Sequence, residues 1–304
     1  MKKKRNMATQ DLFQLSILIP TYNQECVALV KSLHSQAESV SGLEYEILVA
    51  DDGSTDPASV ESNRPIASLS HCRYLIREEN LGRAGIRNFL AQKARYGHLL
   101  FIDSHMSVIA DSYLPAYLCH PCDDLVYGGY AITCDQKPEG NLRYRYEMSC
   151  IEGQRHDRRS IDPYANFHTS NFMVRREVML SNPLDERFHR YGYEDVLWGK
   201  TLKAAGIRIM HIDNPVGFNH FESNTRFLEK TEEGLQTLHE FRKELAGYSR
   251  LLTLVDHLQR YHLAWTIKIL YNLSRPMLQR NLIGSNPSLT AFKLYRLGYY
   301  LSIK

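Results

Sequence analysis

Four short apolar runs in the first 102 residues alternate with segments of helical spacing. The runs are LSILIP (15–20), YEILVA (45–50), RYLI (73–76) and HLLFI (98–102). Continuous apolar runs of this length, rich in branched residues, are typical of strands that are covered on both faces. Between the first two runs, Val27, Val30 and Leu33 recur at helical spacing. The alternation of strand and helix predicts an α/β fold with a mostly parallel sheet.

Each predicted strand ends in a polar cluster. The clusters are PTYN (20–23), DDGSTD (51–56), EENLGRAGIRN (78–88) and DSHM (103–106). Ligands of parallel sheets collect at the carboxyl ends of the strands, so we expect the four clusters to converge on one crevice. Asp51 and Asp52 can accept hydrogen bonds from a base imide or a ribose hydroxyl. Alternatively, they cap the helix that follows.

Composition and charge narrow the class of protein. The chain has 304 residues, of which 43% are hydrophobic and 23% charged, which indicates a globular protein rather than a disordered one. A formal net charge of +3 gives no indication of nucleic-acid binding. No apolar run approaches the roughly 18 residues that span a bilayer. The basic start MKKKRN is not followed by an apolar segment, so we expect no secretory signal and a cytoplasmic location.

Five motifs along the chain resemble, in order and spacing, the signatures of glycosyltransferase family 2. They are SILIPTYNQ, ILVADDGSTD, NLGRAGIRN, FIDSHM and YGYEDVLWGKTLKAAG. Members of this family use nucleotide sugars and have a GT-A fold. The resemblance implies a Rossmann-like catalytic domain over residues 12–225, with a mostly parallel central sheet flanked by helices. Residues 226–304 would form a helical, basic C-terminal extension.

The resemblance implies a nucleotide-diphosphate sugar as donor, with a UDP-sugar as the expected form. FIDSHM occupies the position of the family's DxD motif, where carboxylates hold a divalent metal against the donor diphosphate. Such a cation stabilises the charge that the leaving diphosphate gains. The residues that would bind the donor are Pro20, Tyr22, Asn23, Asp51, Asp52, Asn80, Gly82, Arg83, Asp103 and Ser104.

The chain departs from the family pattern at His105, where the second carboxylate of the DxD motif is usual. Imidazole is a good ligand for manganese and a poor one for magnesium, so we expect Mn²⁺ rather than Mg²⁺. By resemblance the metal ligands would be Asp103, His105 and His220, with His211 a weaker candidate. The alternative is a degraded metal site in a non-catalytic protein that binds a nucleotide or a glycan.

Glu194 and Asp195 begin a predicted helix that ends at Gly206. By resemblance Asp195 would be the general base that deprotonates the acceptor hydroxyl, with inversion at the anomeric carbon. Glu194 would either raise the pKa of that base or bind an acceptor hydroxyl. Alternatively, both carboxylates cap the helix. Three aromatic residues offer rings that can stack on an acceptor sugar: Tyr191, Tyr193 and Trp198.

The implied function is transfer of a sugar to a glycan or a lipid-linked acceptor in surface polysaccharide synthesis. Residues 134–166 are polar without clear periodicity, which predicts a mobile loop over the acceptor site. Residues 245–304 contain eight lysine and arginine residues against one acidic residue, a surplus of seven positive charges. This tail either lies on an anionic membrane, making the protein peripheral at the inner face, or folds back on the catalytic domain or pairs between subunits.

Overall fold

The structure is a computed structural model that describes residues 12–134 and 137–303. The basic N-terminal stretch that bears on the expected location lies outside the described residues. The described chain forms ten strands: β1 (Phe13–Thr21), β2 (Leu43–Asp51), β3 (Cys72–Ile76), β4 (His98–Ile102), β5 (Ser107–Val108), β6 (Leu125–Tyr127), β7 (Tyr130–Ile132), β8 (Asn171–Arg175), β9 (Ile209–His211) and β10 (Val216–Phe218).

Seven strands form the central sheet, in the order β3-β2-β1-β4-β8-β6-β9. β3, β2, β1 and β4 run parallel, whereas β8 is antiparallel to both of its neighbours, β4 and β6. A smaller three-stranded sheet has the order β5-β10-β7. The prediction of an α/β fold with a mostly parallel central sheet is confirmed. Each of the four apolar runs lies within one of the first four strands.

The helices cover both faces of the sheet and continue to the C-terminus. Their bounds are α1 (Val27–Ser39), α2 (Pro57–Asn63), α3 (Gly82–Lys93), α4 (Tyr113–Leu118), α5 (Leu142–Cys150), α6 (His156–Arg159), α7 (Arg176–Ser181), α8 (Glu194–Ala204), α9 (Asn224–Glu240), α10 (Arg250–Arg260), α11 (Ala264–Ile283) and α12 (Leu289–Ser302). Two 3₁₀ helices span Arg64–Ser68 and Ile151–Gln154.

Alternation along the central strands explains why both faces of the sheet are covered. Ile17 and Ile19 belong to one buried cluster, and Leu18 between them belongs to another. Successive side chains of a strand point to opposite faces, so a continuous apolar run supplies both clusters. The first cluster includes residues of α1 and α4, and the second includes residues of α3 and α8. The buried clusters on the two faces of the sheet hold the strands in position, and the predicted site lies at the ends of these strands.

The described part of residues 134–166 does not form the irregular loop that the composition predicts. Of the described part, α5, α6 and a 3₁₀ helix occupy most positions. Asn141 caps α5 by accepting a hydrogen bond from the Tyr144 amide. Leu142 is buried in a cluster with residues of α9, α11 and α12. Contacts that are distant in sequence, rather than local periodicity, therefore order this segment.

The C-terminal helices α11 and α12 pack against each other. The Tyr271 ring of α11 packs edge-on against the Tyr295 ring of α12, with centroids 5.6 Å apart. A Cβ atom at Gly298 would lie 2.2 Å from Cγ of Tyr271, so glycine permits this approach. Among the described residues, no helix is long and apolar enough to cross a membrane.

Candidate active site

The predicted donor residues at the ends of β1 and β2 are joined by hydrogen bonds. Asn23, with φ of 49°, accepts hydrogen bonds through Oδ1 from the amides of Thr55 and Asp56 at 2.8 and 2.9 Å. Asp51 is buried and accepts from the Ser54 amide at 2.7 Å and from a tyrosine hydroxyl of β3. These bonds fix the two loops relative to each other.

A second set of contacts ties the loop after β3 to the same region. Asp52 is buried, and its Oδ1 accepts a hydrogen bond from the Leu81 amide at 2.9 Å. Burial raises the pKa of Asp52, although nearby backbone amides oppose that effect. A Cβ atom at Gly53, where φ is +71°, would lie 3.0 Å from the Asn80 amide nitrogen. The glycine therefore allows the β2 and β3 loops to approach closely.

A cavity of about 370 Å³ opens between the ends of β4 and β8, the start of α8, and helices α5, α9 and α12. Of the sequence-predicted site residues, it is lined by Arg83, Asp103, His105, Tyr191, Tyr193, Glu194 and Asp195. The other predicted donor residues do not line it. Among these, Pro20, Asp51, Asp52 and Ser104 are buried, Tyr22, Asn23 and Asn80 are exposed, and Gly82 begins α3. Of the predicted donor residues, Arg83 and Asp103 therefore line this cavity, whereas those of the loops after β1 and β2 do not.

Asp103 directly follows the last residue of β4, and its carboxylate interacts with two arginines. Arg87, which is almost fully buried, donates to its Oδ1 atom, and Nη2 of Arg83 lies 3.5 Å from its Oδ2 atom. Burial alone would raise the pKa of Asp103. The two arginines outweigh burial and hold that pKa below its ordinary value. The carboxylate is therefore ionised and already neutralised by the protein.

Arg83 also connects Asp103 to α8, because its Nε atom donates to Oε1 of Glu194 at 2.5 Å. Glu194 and Asp195 occupy the first turn of α8, where carboxylates interact favourably with the helix dipole. Tyr193 precedes them in the left-handed conformation, with φ of 69°, which costs a non-glycine residue roughly 1–2 kcal/mol. This turn directs both carboxylates into the cavity.

Asp195 is paired with His168. Nδ1 of His168 lies 3.0 Å from Oδ2 of Asp195, and Oδ1 of Asp195 accepts from the Val196 amide at 2.8 Å. Burial would raise the pKa of Asp195, but the hydrogen bond and charge of His168 lower it below its ordinary value. Burial would lower the pKa of His168, but the hydrogen bond to Asp195 raises it. The candidate base is an ionised carboxylate that is hydrogen-bonded to an imidazole.

Four side-chain oxygen atoms of cavity-lining residues have no hydrogen-bond partner within the described residues. They belong to Gln154, Thr169, Ser170 and Glu194, whose free atom is Oε2. Buried polar atoms are normally paired, so an unpaired group at a cavity indicates a partner supplied by a ligand. Two hydroxyl groups, one amide oxygen and one carboxylate oxygen suit a ligand with several hydroxyl groups.

Several cavity residues were not predicted from the sequence as site residues. The cavity also contains Tyr130, Arg143, Glu147, His168 and Lys230. Arg143 and Tyr130 both bond to Glu147, at 2.8 and 2.7 Å. Arg143 and Glu147 lie in the RYRYEM stretch. Their opposite charges, four residues apart, are a pattern that favours a helix and could have indicated α5. The role of His168 had no local signal, because Asp195 is 27 residues away in the chain.

Two predictions about individual residues are wrong. Trp198 cannot stack on an acceptor sugar, because it is 2% exposed, packs on Phe167 and Phe172, and donates to the Asn182 carbonyl at 2.7 Å. His220 is exposed beyond β10 and does not line the cavity with Asp103 and His105.

His211, the weaker histidine candidate, is held within the fold. Nδ1 of His211 lies 3.2 Å from Nη1 of the buried Arg159, and Nε2 of His211 lies 2.9 Å from the Pro163 carbonyl oxygen. Burial lowers its pKa to about 4.

Of the predicted metal ligands, Asp103 and His105 line the cavity. Burial lowers the pKa of His105, so its imidazole is neutral and able to bind a metal. No three histidine, cysteine or acidic side chains of residues 12–134 and 137–303 are grouped closely enough to hold a metal together. Both carboxylate oxygens of Asp103 already interact with arginines, so a cation bound there would displace an arginine contact and take its further ligands from the donor phosphates.

Comparison with known proteins identifies the family. The sequence pattern described as "Glycosyl transferase family 2" matches residues 16–180, more than half of the chain. The chain belongs to glycosyltransferase family 2. The match spans the strand ends from PTYN to DSHM, together with β8, and stops before α8.

A relative and a solved structure extend the comparison. An uncharacterized glycosyltransferase of Haemophilus influenzae is 31% identical over 130 residues, which cover 42% of this chain and 50% of the relative. The match thus spans about half the length of that relative. Mannosyltransferase PcManGT from Pyrobaculum calidifontis, solved with GDP-Man and Mn²⁺, has a TM-score of 0.55 at 15% identity, over 99% of this chain and 88% of that one. The likeness confirms the GT-A fold.

Proposed function

We propose that the protein is an inverting glycosyltransferase that transfers a sugar from a nucleotide-diphosphate sugar to an acceptor hydroxyl. The observation that carries this proposal is the cavity in which the ionised Asp195–His168 pair lies beside Glu194, Arg83 and Asp103. Such a transfer needs a base for the acceptor hydroxyl and cations for the leaving diphosphate, and the carboxylate and the arginines supply these groups. Family membership supports the same reaction class.

In the proposed reaction, the acceptor oxygen forms a bond to the anomeric carbon while the bond from that carbon to the diphosphate oxygen breaks. The bonding electron pair leaves with the diphosphate, and the acceptor proton passes to Asp195. Arg83, Arg143 and Lys230 line the cavity and can stabilise the negative charge of the diphosphate. A divalent metal on Asp103 and His105 would supply further charge stabilisation at the same leaving group.

The proposal includes the substrates that the sequence predicts. The donor is a UDP-sugar, and the acceptor is a glycan or a lipid-linked hydroxyl at the cytoplasmic face of a membrane, in surface polysaccharide synthesis. Tyr191 and Tyr193 line the cavity and offer ring faces to the acceptor. We also propose that α9 and α12 work with the catalytic domain, because they supply Phe227 and Phe292 to the cavity wall.

One observation favours a second candidate, a non-catalytic protein that binds a nucleotide or a glycan. Both carboxylate oxygens of Asp103 already interact with arginines, so a metal must compete with Arg83 and Arg87. Such a protein would bind a nucleotide without needing the metal.

Calorimetric titration of UDP, GDP, dTDP and CMP, each with manganese, magnesium or chelator, separates the candidates. Binding of UDP that depends on manganese supports the transferase, and donor consumption with an acceptor panel then tests the reaction. Asp195→Asn should lower transfer by about 10²–10⁴-fold while UDP binding stays unchanged. The variant should still fold, with a melting temperature that is lower because the ion pair with His168 is lost. The matched control is Glu240→Gln, an exposed carboxylate on α9 outside the cavity. Unchanged transfer in Asp195→Asn would exclude this base.

A further inference from the structure

The outward face of α11 is apolar and exposed. Trp265 is 70% exposed, Leu273 77% and Met277 69%, and Ile269, Leu270 and Ile283 are exposed on the same side. Leu270, Leu273 and Met277 follow the i, i+3, i+7 spacing of one helix face. Within the described residues, no other helix has so many exposed large apolar side chains.

The opposite face of α11 already holds the helix in the fold. Tyr271, Leu278 and Leu282 are buried against α9 and α12. Packing of α11 therefore does not require the outward side chains. A helix that is apolar on all sides is normally covered on all sides, and a contiguous exposed patch marks an interaction surface.

Cations surround this face. Lys268 and Arg280 lie on α11, and Arg250 and Arg260 lie on the adjoining α10. Arg275 of α11 instead interacts with Tyr295 and Glu232 within the protein. None of the other four forms an ion pair within 4 Å of an acidic side chain in the described parts of the chain, whereas Arg242 nearby is paired with Asp256. The surplus of positive charge in the C-terminal region therefore remains available to an external partner.

We propose that the outward face of α11 docks on an anionic lipid surface. The apolar side chains would enter the boundary between headgroups and acyl chains, and the cations would interact with lipid phosphates. Trp265, and Tyr261 just before the helix, carry rings with one polar group, which suits this boundary. A second copy of the chain fits less well, because a two-fold contact would bring the same unpaired cations together.

Docking through α11 would also fix the orientation of the cavity relative to the lipid surface. The Tyr271 ring of α11 packs on Tyr295 and Gly298 of α12, and α12 supplies Phe292 and Arg296 to the cavity wall. One rigid contact therefore connects the docking face to the site. The conclusion that docking orients the cavity toward a lipid-linked acceptor rests on the proposed function. The docking of α11 on lipid does not rest on it, because vesicle binding can be measured without donor or acceptor.

The test is cosedimentation of the full chain with vesicles of phosphatidylcholine alone or of an equimolar mixture of phosphatidylcholine and phosphatidylglycerol. We expect binding to the mixed vesicles only, with a blue shift of Trp265 emission. The double substitution Leu273→Ser/Met277→Ser should weaken binding at least about tenfold. Ile161→Ser is the matched control, because Ile161 is 76% exposed but lies far from α11 in sequence and outside that face. Lys268→Gln/Arg280→Gln should weaken binding by about fivefold for each charge and reduce its salt dependence.

Three results would overturn the proposal. The first is no sedimentation with the mixed vesicles, and the second is equal binding to neutral vesicles. The third is a dimer in solution that the Leu273→Ser/Met277→Ser substitution dissociates without any vesicle binding, since a second copy would then cover the face. Retained melting temperatures in all variants ensure that a loss of binding reports on the surface. Vesicle binding without sugar transfer would leave this inference standing while the proposed function fails.

Discussion

Nδ1 of His168 lies 3.0 Å from Oδ2 of Asp195, so a residue just before β8 holds a carboxylate in the first turn of α8. The contact lowers the pKa of Asp195 and raises that of His168. Each group thereby stabilises the charged form of the other. The proposed base is fixed in position by a partner that was not predicted from the sequence as a site residue.

The pair should make stability depend on pH in a defined window. The stabilisation from Asp195 is present above its ordinary pKa of 3.8 and is lost as pH falls through the lower folded-state pKa. The stabilisation from His168 is present below its ordinary pKa of 6.5 and is lost as pH rises through the higher folded-state pKa. His168→Gln should therefore lower the melting temperature most between these two ordinary values. Thermal unfolding across pH checks this, with the exposed His257→Gln as control. A melting-temperature difference that does not change with pH would contradict the ion pair.

Arg87→Met should destabilise the protein by about 3–5 kcal/mol, because it removes one of two cations from a buried carboxylate. Arg87 and Asp103 are both nearly fully buried, and the remaining partner, Arg83, is 37% exposed. Urea unfolding measures the change in free energy. Arg64→Met provides the contrast, because its ion pair with Glu61 is largely exposed and should contribute less than about 1 kcal/mol. Equal effects of the two substitutions would show that burial of the Asp103 pair is unimportant.

His105→Asp should broaden the metal requirement. The substitution supplies the second carboxylate of the family pattern, and magnesium prefers oxygen ligands to imidazole. We expect the wild-type protein to bind UDP in manganese only, and the variant to bind UDP in both metals. Calorimetry in each metal and in chelator measures the change. Metal-independent binding by both proteins would instead support a diphosphate held by arginines.

Gly298→Ala should disrupt the packing of α12 on α11. The added Cβ atom would lie 2.2 Å from Cγ of Tyr271, and such overpacking costs about 1–3 kcal/mol. The free energy of unfolding measures the loss. Gly97→Ala is the matched control, because its Cβ atom would meet no atom within 4 Å. If vesicle binding also falls in Gly298→Ala, the α11–α12 contact holds the docking face in place.

Strands β1 to β4 of the central sheet could be predicted because continuous apolar runs reveal buried strands without reference to the rest of the chain. β6 and β10 could not, since each has three residues and depends on pairing with distant strands. The same limit applies to the site. Asp103, Glu194 and Asp195 follow from motifs, whereas their partners Arg87 and His168 are set by how α3 and β8 approach them. Trp198 was wrongly predicted as an acceptor residue, because it follows the site motif in the sequence but its ring is buried in the core.

The position of β8 in the sheet has a consequence for the order in which the chain folds. β4 and β6 are separated in the sheet by β8, and β6 bonds only to β8 and β9, both of which follow it in the chain. During synthesis, β1 to β4 can assemble as soon as they leave the ribosome, but β4 remains an unprotected edge until residue 175 has emerged. A ribosome stalled before that residue should therefore hold a half-sheet that chaperones bind and proteases cleave after β4.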